Sequence, residues 1–332
     1  MSEPTPPEMS PEPASKALDL SIVFATRDRA TQLRQTLAAY EVLDTHDLSW
    51  EIVVIDNDSR DDTATVLQAA STYLPLVTLH VAAGGQNRAR NAALGCLRGD
   101  LVIFTDDDVI PDAQCLNAYT AAAARWPHDV IFGARIDPAF PAGTPDWMRS
   151  DAFDFGTTAF ARYAPRSDEG PVKTHPYGPS FALRRCALPG HYFPENLGPQ
   201  SGGYAMGGEA AFLSQIAAAG HRYIHVPTAR VQHVVRPEQI GKDWLLQRAQ
   251  NKGRGQVYLP SRRQSSYLSY RGVSLKLRLS LARAFARYYA ADLFLSHRRC
   301  IERGITYQLR LGRVLELQRL HSQKHKKEVA HD

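Results

Sequence analysis

The stretch Leu101-Val-Ile-Phe-Thr-Asp-Asp-Asp108 decides the fold of this chain, because it joins an apolar run to three consecutive carboxylates. Residues 101–105 are mostly β-branched or aromatic, which predicts a buried strand. The aspartates cannot follow them into the core, because an unpaired buried carboxylate is very costly. We therefore place the aspartates at the carboxyl end of the strand, the edge at which open α/β sheets bind ligands. An acidic surface turn is the alternative.

The three carboxylates also predict a cation. Adjacent like charges raise each other's pKa unless a cation neutralises them. Oxygen ligands at this density suit Mg²⁺ or Mn²⁺, which commonly bind one or two carboxylates together with substrate phosphates. We therefore expect Mn²⁺ or Mg²⁺ as a cofactor.

The composition is that of an ordinary globular protein, with 332 residues, 44% of them hydrophobic and 22% charged. No apolar run approaches the length that spans a bilayer. Residues 1–17 are proline-rich and acidic, which predicts a disordered tail rather than a signal peptide. The four cysteines are scattered without metal-ligand spacing, so we expect reduced thiols and a cytoplasmic protein.

The net charge of +5 hides a strong asymmetry along the chain. From Gly241 to the end there are 20 Lys and Arg against 6 Asp and Glu, a net charge of +14, which leaves −9 for the rest. Such a segment is expected to face an anionic partner, for example a membrane surface, a phosphorylated acceptor or nucleic acid.

Strands and helices alternate along the first hundred residues. Strands are predicted at Leu20–Ala25, Glu51–Ile55 and about 77–81, and a helix is predicted from about Gln86. This alternation is typical of parallel βαβ units, so the predicted fold class is α/β with a mostly parallel central sheet. No G-x-G-x-x-G follows the first strand and no phosphate-binding P-loop is present, which excludes those two nucleotide folds.

Several motifs together resemble those of the family 2 glycosyltransferases, which are inverting enzymes that use nucleotide sugars. The motifs are Ser21-Ile-Val-Phe-Ala-Thr-Arg-Asp-Arg29, Ile55-Asp-Asn-Asp-Ser59, Ala89-Arg-Asn91, Phe104-Thr-Asp-Asp-Asp108, Gly178-Pro-Ser-Phe-Ala-Leu-Arg184, Phe193-Pro-Glu-Asn-Leu-Gly198 and Gly207-Gly-Glu209. The resemblance implies a single Rossmann-like domain of the GT-A fold over residues 18–236. Its nucleotide-binding half would be 18–111 and its acceptor half 112–236, followed by a basic α-helical extension at 237–332.

The resemblance also implies a set of donor-binding residues. The family's D-x-D motif maps onto Asp106 and Asp108, with Asp108 as the metal ligand. His233 stands where some relatives have a second ligand, although a structural histidine is the alternative. The residues that the resemblance assigns to the nucleotide are Thr26, Arg27, Asp56, Asn57, Arg90, Asp106 and Asp107. Arg27 replaces a common aromatic residue, and its guanidinium can still stack on a base.

Glu209 is the predicted catalytic base. Relatives usually carry an adjacent Glu-Asp pair at this helix start, but here Ala210 replaces the second acid. This departure leaves two interpretations open. Either Glu209 alone removes the proton from the acceptor hydroxyl, or the protein binds a nucleotide sugar without turning it over. In the non-catalytic alternative, the charge of Glu209 only interacts favourably with the dipole at the start of its helix.

The rest of the chain suggests how an acceptor is held. The segment from Asp137 to Pro176 is long and aromatic, and it is predicted to form an acceptor wall or lid, unless its rings cover the core. Asn251-Lys-Gly-Arg-Gly255 is predicted to be a flexible cationic stretch that could close over a diphosphate. Residues 274–295 predict an amphipathic basic helix suited to a membrane interface, or an ordinary packing helix.

These observations predict a metal-dependent inverting glycosyltransferase that moves a sugar from a UDP-sugar to a hydroxyl of a glycan or lipid-linked acceptor. Its product would be a cell-surface polysaccharide or glycolipid. The expected location is cytoplasmic and peripheral at the inner face of an anionic membrane, and nucleic acid is not expected as a partner. The alternatives are a nucleotidyltransferase, although the loop 26–29 lacks the glycines of that class, and a non-catalytic nucleotide-sugar-binding protein.

Overall fold

The fold is taken from a computed structural model that describes residues 17–45, 47–82, 84–153, 155–199, 204–259, 269–270, 272–294 and 296–329. The predicted disordered tail at 1–17 lies outside the described residues except for its last residue.

The first half of the chain alternates strands and helices as predicted. In chain order its elements are β1 (Leu18–Thr26), α1 (Ala30–Glu41), β2 (Trp50–Asp56), α2 (Thr63–Ala70), β3 (Leu76–His80), α3 (Gln86–Ala93) and β4 (Gly99–Thr105). The four strands pair in parallel in the order β3-β2-β1-β4. Their carboxyl ends therefore meet at one edge, where Thr26, Asp56 and Thr105 end their strands.

The second half completes the sheet and adds helices. Its elements up to the end of the sheet are β5 (Val109–Pro111), α4 (Cys115–Arg125), β6 (Ile131–Ala139), α5 (Asp146–Arg149), α6 (Gly156–Ala159), β7 (Gly170–Val172), β8 (Ser180–Arg184), α7 (Gly208–Ala217) and β9 (Tyr223–Val234). In the described chain the sheet continues from β4 through β8, β6 and β9 to β5, and β7 pairs with β9. The β6–β9 pair is parallel, while β8, β5 and β7 run antiparallel to their neighbours. The predicted mostly parallel central sheet is confirmed.

Side chains that alternate along each strand pack on opposite faces of the sheet. Ile22 and Phe24 of β1 join one apolar cluster with helices α1, α2 and α4. Val23 joins the other cluster, with α3 and α7. Burial on both faces explains why the parallel strands appear in the sequence as continuous apolar runs rather than as alternating patterns.

The C-terminal segments are helical, and a third apolar cluster joins them to the sheet domain. They are α8 (Lys242–Gly255), the short strands β10 (Ser269–Tyr270) and β11 (Val273–Ser274), α9 (Leu275–Phe294) and α10 (His297–Val329). Phe153, Phe155 and Phe160 are buried in this cluster with Leu245 of α8 and Ile301 of α10. Many aromatic residues of the segment 137–176 therefore cover a core, which was the alternative to an acceptor wall or lid.

The prediction of a flexible stretch at 251–255 is wrong. These residues form the last turns of α8, and their glycines allow close packing. A Cβ on Gly253 would lie 2.1 Å from the carbonyl oxygen of Leu309, and one on Gly255 would lie 1.7 Å from that of Met206. The glycines bring α8 against α10 and against the segment that precedes α7.

None of the described helices is both long enough and apolar enough to cross a membrane.

Candidate active site

The three aspartates lie in the turn between β4 and β5, at the carboxyl edge of the sheet. The Thr105 hydroxyl donates to the carbonyl oxygen of Pro179 at 2.8 Å, and the Thr36 hydroxyl donates to the carbonyl oxygen of Asp107 at 2.7 Å. These bonds fix the backbone of the turn. The side chain of Asp106 is 20% exposed, whereas those of Asp107 and Asp108 are 5% and 8% exposed. The aspartates therefore lie at the strand's carboxyl end as predicted, but the expectation that they stay outside the interior is wrong for Asp107 and Asp108, which are buried because arginines pair with them.

Asp106 is held by helix α3. Nη2 of Arg90 lies 2.6 Å from Oδ1 of Asp106, and Nε2 of Gln86 donates to the same oxygen at 3.0 Å. Arg90 is buried and also donates to the carbonyl oxygen of Thr105. The buried charge of Arg90 is thus paired with the carboxylate of Asp106. Its other oxygen, Oδ2, faces Gly178, 3.9 Å from the position that a Cβ would take there.

Asp107 is bound from the loop after β1. The Thr26 hydroxyl donates to its Oδ2 at 2.7 Å, and Nη1 of Arg29 donates to its Oδ1 at 2.6 Å. Burial raises the pKa of Asp107 to about 6, although the charge of Arg29 opposes this shift. The carboxylate is therefore ionised at neutral pH, but at a cost that a nearby cation would reduce.

Asp108 faces His233, which β9 brings beside it. Nε2 of His233 lies 3.5 Å from Oδ1 of Asp108, while Arg236 and Arg29 lie 3.4 Å and 3.3 Å from Oδ2. Burial and the charge of Asp106 raise the pKa of Asp108 to about 6. Burial lowers the pKa of His233 to about 4, so the imidazole is neutral at physiological pH. A neutral imidazole can donate its nitrogen lone pair to a metal ion.

The side chains of Asp108 and His233 fit a divalent cation that takes some of its ligands from the protein and the others from a substrate. Asp108 supplies a carboxylate oxygen and His233 a neutral nitrogen, and both groups line the same cleft. Among the described residues no group of three or more His, Cys, Asp and Glu side chains forms a complete metal cage. Asp108 and His233 would supply part of a coordination shell, which suits Mg²⁺ or Mn²⁺ bound together with phosphate oxygens and water.

A cleft of about 460 Å³ runs along this edge of the molecule. Of the predicted site residues, it brings together Arg90, Asp106, Asp107, Asp108, Glu209 and His233. The cleft is also lined by residues from 158–161 and 174–179 and by one face of α8. The segment 137–176 thus contributes part of the wall, in addition to its rings in the core.

The other predicted nucleotide-binding residues, Thr26, Arg27, Asp56 and Asn57, do not line this cleft. Thr26 ends β1, which pairs with β4, and Arg27 follows it; Asp56 ends β2, which pairs with β1 on its other side, and Asn57 follows it. Arg27 is exposed, and Asp56 is buried with Oδ2 3.4 Å from Nδ1 of His80. Asn57 is buried, and its Oδ1 has no hydrogen-bond partner among the described residues. A buried acceptor without a partner is costly, so a water molecule or a donor group of a ligand is expected to pair with it.

Glu209 lies in the first turn of α7 and faces the cleft. Gly207 before the helix has a φ of 109°, a conformation that favours glycine. The carboxyl carbon of Glu209 lies 3.8 Å from the position that a Cβ would take on Gly178, the same position that Asp106 faces. The two carboxylates therefore lie beside the same glycine at the cleft. Ala210, where relatives carry the second acid, is buried.

Two asparagines of α3 connect it to the Phe193–Gly198 loop, namely Asn87, which the sequence analysis did not single out, and Asn91, the last residue of the Ala89-Arg-Asn91 motif. Nδ2 of Asn87 donates to the carbonyl oxygens of Pro194 and Leu197, each at 2.9 Å. Asn91 exchanges hydrogen bonds with the backbone of Phe193. Hydrogen bonds thus connect the Ala89-Arg-Asn91 motif to the motif that begins at Phe193. Sequence reasoning also missed Arg29 and Arg236, although Arg29 lies inside a quoted motif and Arg236 follows His233 by three residues.

The family model described as glycosyl transferase family 2 matches residues 21–192, more than half of the chain. Among curated proteins, no relative matches.

Two solved structures that are similar to this chain illustrate the shared fold. A mannosyltransferase from Pyrobaculum calidifontis, in complex with GDP-Man and Mn²⁺, is 18% identical with a TM-score of 0.59, over 94% of this chain and 90% of that one. TarS 1-349 from S. aureus is 15% identical with a TM-score of 0.52, over 93% and 92% of the two chains. TarS 1-349 has also been solved with UDP, at 16% identity to this chain and a TM-score of 0.52.

Proposed function

Since this chain belongs to glycosyl transferase family 2, and so is a glycosyltransferase with the predicted GT-A fold, we propose that it is a metal-dependent inverting enzyme. It would transfer a sugar from a nucleoside-diphosphate sugar, with UDP as the nucleotide, to a hydroxyl of a glycan or lipid-linked acceptor. The observation that supports this proposal is that Asp108, His233 and Glu209 line one cleft, so the candidate cation ligands and the candidate base face the same cavity.

The donor nucleoside would bind at the carboxyl ends of β1 and β2. Thr26, Arg27, Asp56 and Asn57 lie there, next to the strand that carries the aspartates. The unpaired Oδ1 of Asn57 can accept a hydrogen bond from a base, because a buried acceptor without a partner gains most from a ligand that pairs with it. The exposed guanidinium of Arg27 can stack on a base. The TarS structure solved with UDP supports the choice of nucleotide.

Asp108 and His233 would hold the cation, and Asp106 and Asp107 would lie beside it. When bound, a divalent cation neutralises negative charge on the leaving diphosphate. The mannosyltransferase solved with GDP-Man and Mn²⁺ supports this assignment. The residues of this chain do the rest of the positioning. Arg90 and Gln86 fix one oxygen of Asp106, so that its second oxygen is directed at the cleft.

Glu209 would act as the base of the displacement. The acceptor hydroxyl gives its proton to the Glu209 carboxylate as its oxygen forms a bond to the anomeric carbon. The bond from that carbon to the donor phosphate breaks on the opposite side, so the configuration inverts and the nucleoside diphosphate leaves. Tyr177 beside Glu209 stays protonated at neutral pH, because burial and the charge on Glu209 raise its pKa.

The acceptor would be presented at an anionic membrane surface, as expected for cell-surface polysaccharide synthesis. Helix α9 supports this part of the proposal. Its outer surface exposes four large apolar side chains, Leu275, Leu279, Phe285 and Tyr289. Exposed cations lie among them, namely Lys276, Arg283 and Arg287. An exposed face with both apolar and basic residues is typical of helices that lie in the interface of anionic bilayers.

Calorimetry with UDP tests the cation site. The wild-type protein should bind UDP strongly in MnCl₂ and weakly in EDTA, and Asp108→Asn should reduce the affinity in MnCl₂ to the value in EDTA. The nearby exposed Asp112 provides a matched control, since Asp112→Asn should retain the wild-type affinity. Equal UDP affinity in MnCl₂ and EDTA would contradict the metal role.

A further inference from the structure

The last turn of helix α8 contacts the segment that leads into α7, directly before the candidate base. The amide N–H of Met206 donates to the carbonyl oxygen of Asn251 at 3.1 Å. A Cβ on Gly255 would lie 1.7 Å from the carbonyl oxygen of Met206 and 3.0 Å from its amide nitrogen, so the two backbones touch. Met206 precedes Glu209 by three residues. The end of α8 therefore supports the backbone from which Glu209 enters the cleft.

The connection between this contact and Glu209 is short and constrained. Gly207 has a φ of 109°, and its carbonyl oxygen accepts a hydrogen bond from the amide of Ala211 at 3.0 Å, which begins the hydrogen bonding of α7. Met206 is thus joined to the first turn of the helix without an intervening loop. A shift of Met206 would therefore move Glu209 as well.

Helix α8 is fixed by α10 on another side. Gly253 lies two residues before Gly255 and hence on a different side of the helix, because residues two apart do not share a face. A Cβ on Gly253 would lie 2.1 Å from the carbonyl oxygen of Leu309, and one on Gly312 of α10 would lie 2.0 Å from a carbonyl oxygen of α8. Backbone contacts on two sides leave α8 little room to move.

A buried carboxylate of α10 strengthens this contact at the end of α8. The side chain of Glu316 is 2% exposed, and its Oε2 lies 3.7 Å from Nη1 of Arg254, the residue before Gly255. The Tyr258 hydroxyl donates to Oε1 at 2.6 Å, and Nε of Arg319 donates to the same oxygen at 2.8 Å. Because a buried charge is costly unless it is paired, these contacts order the end of α8 relative to α10.

We propose that Asn251 and Gly255 of α8 are positioning residues for Glu209, which makes the helical extension part of the catalytic unit. Misplacement of a catalytic group by about 1 Å can lower a rate by about 10²-fold, so the backbone contacts with Met206 should affect turnover. The proposal rests on the proposed function, because it takes Glu209 as the base.

Gly255→Ala in the full chain tests the positioning role. Its new Cβ must displace Met206, so kcat for release of UDP from a UDP-sugar, with a glycolipid acceptor, should fall by about tenfold or more. The KM for the UDP-sugar and the affinity for UDP in MnCl₂ should change by less than about threefold. Gly253→Ala is the matched control, since its Cβ meets Leu309 instead, and its kcat should stay within about threefold of the wild type.

Hydrogen exchange followed by mass spectrometry gives a readout that does not depend on turnover. In the wild-type protein the amide of Met206 should be protected by its bond to Asn251. Gly255→Ala should raise the exchange rates of residues 206–213 by about tenfold or more and leave those of β1 and β4 unchanged. In Gly253→Ala, residues 206–213 should exchange as in the wild type.

Wild-type kcat for Gly255→Ala, or equal losses of kcat in both glycine variants, would overturn the positioning role. If Gly255→Ala does not fold, Glu316→Gln takes its place, because it keeps the side-chain size and removes the charge that pairs with Arg254. Its kcat should fall by about threefold or more with UDP affinity unchanged, and wild-type kcat would overturn the proposal.

A different result would contradict the proposed function instead. If the wild-type protein releases no UDP from any UDP-sugar, Glu209 has no reaction to serve. Hydrogen exchange would then still decide whether α8 holds the segment before Glu209, because fast exchange at Met206 in the wild-type protein would overturn that contact.

Discussion

Gly208 and Asn87 are predicted to be energetically coupled, because the glycine leaves the space that the asparagine side chain fills. A Cβ on Gly208 would lie 2.2 Å from Nδ2 of Asn87, far inside van der Waals contact. That nitrogen donates to the carbonyl oxygens of Pro194 and Leu197. Gly208→Ala must therefore displace the asparagine and break both hydrogen bonds to the loop.

The size of the effect follows from these bonds. The buried carbonyl oxygen of Leu197 and the partly buried one of Pro194 would lose their donor, and each such loss costs about 1–2 kcal/mol. Asn87→Ala alone should thus lower the free energy of unfolding by about 2–4 kcal/mol, and Gly208→Ala alone by a similar amount. The double variant should be no less stable than Asn87→Ala, because the new methyl group fills the space that the asparagine leaves. A coupling free energy of about 2 kcal/mol or more is expected.

Urea unfolding of the wild-type protein and the three variants, followed by circular dichroism, measures this coupling. Ala92→Gly, an exposed change in the same helix as Asn87, alters the backbone of the helix and should add independently to Gly208→Ala. Additive losses for Gly208→Ala and Asn87→Ala, with a coupling free energy near zero, would refute the steric argument.

Two further predictions concern the cation and the membrane. Burial raises the pKa of Asp107 and of Asp108 to about 6, so both are protonated below that pH and ionised above it. Mn²⁺ should therefore raise the melting temperature at about pH 7.5. The rise should be much smaller at about pH 5, because protons compete with Mn²⁺ for the carboxylates there. An equal rise at both pH values would contradict these pKa values. The protein should co-sediment with anionic vesicles and be released by salt, and Leu279→Glu on α9 should weaken this association. Unchanged association of that variant, or salt-insensitive binding, would contradict the assignment of α9.

The strands of the parallel half of the sheet could be predicted because their signal is local. Runs such as Leu101–Phe104 are apolar on both faces, and a parallel strand between two helical layers needs that composition. The aspartates could be placed at the site for a similar reason, because three carboxylates directly after a buried strand are expected to lie at the carboxyl edge of the sheet. The order β8-β6-β9-β5 could not be predicted, because it depends on pairing between segments far apart in the chain.

The parts of the site that escaped prediction depend on tertiary contacts. Whether an arginine is a solvated surface residue or a partner of Asp108 depends on which segment folds against it, as Arg236 shows. The glycines at the end of α8 suggested flexibility, but they serve close contact with Leu309 and Met206. The contact partners lie in elements that the local sequence does not specify.

Glu209→Gln tests the central claim most directly, namely that a single glutamate serves as the base although Ala210 replaces the second acid. The variant keeps the size of the side chain and removes its ability to accept a proton. UDP and Mn²⁺ affinity should be unchanged, while release of UDP from a UDP-sugar in the presence of a glycolipid acceptor should fall by about 10²–10⁴-fold, equivalent to about 3–5 kcal/mol of activation free energy. Glu41→Gln, an exposed change on α1, should retain full turnover. Full turnover by Glu209→Gln would contradict the claim.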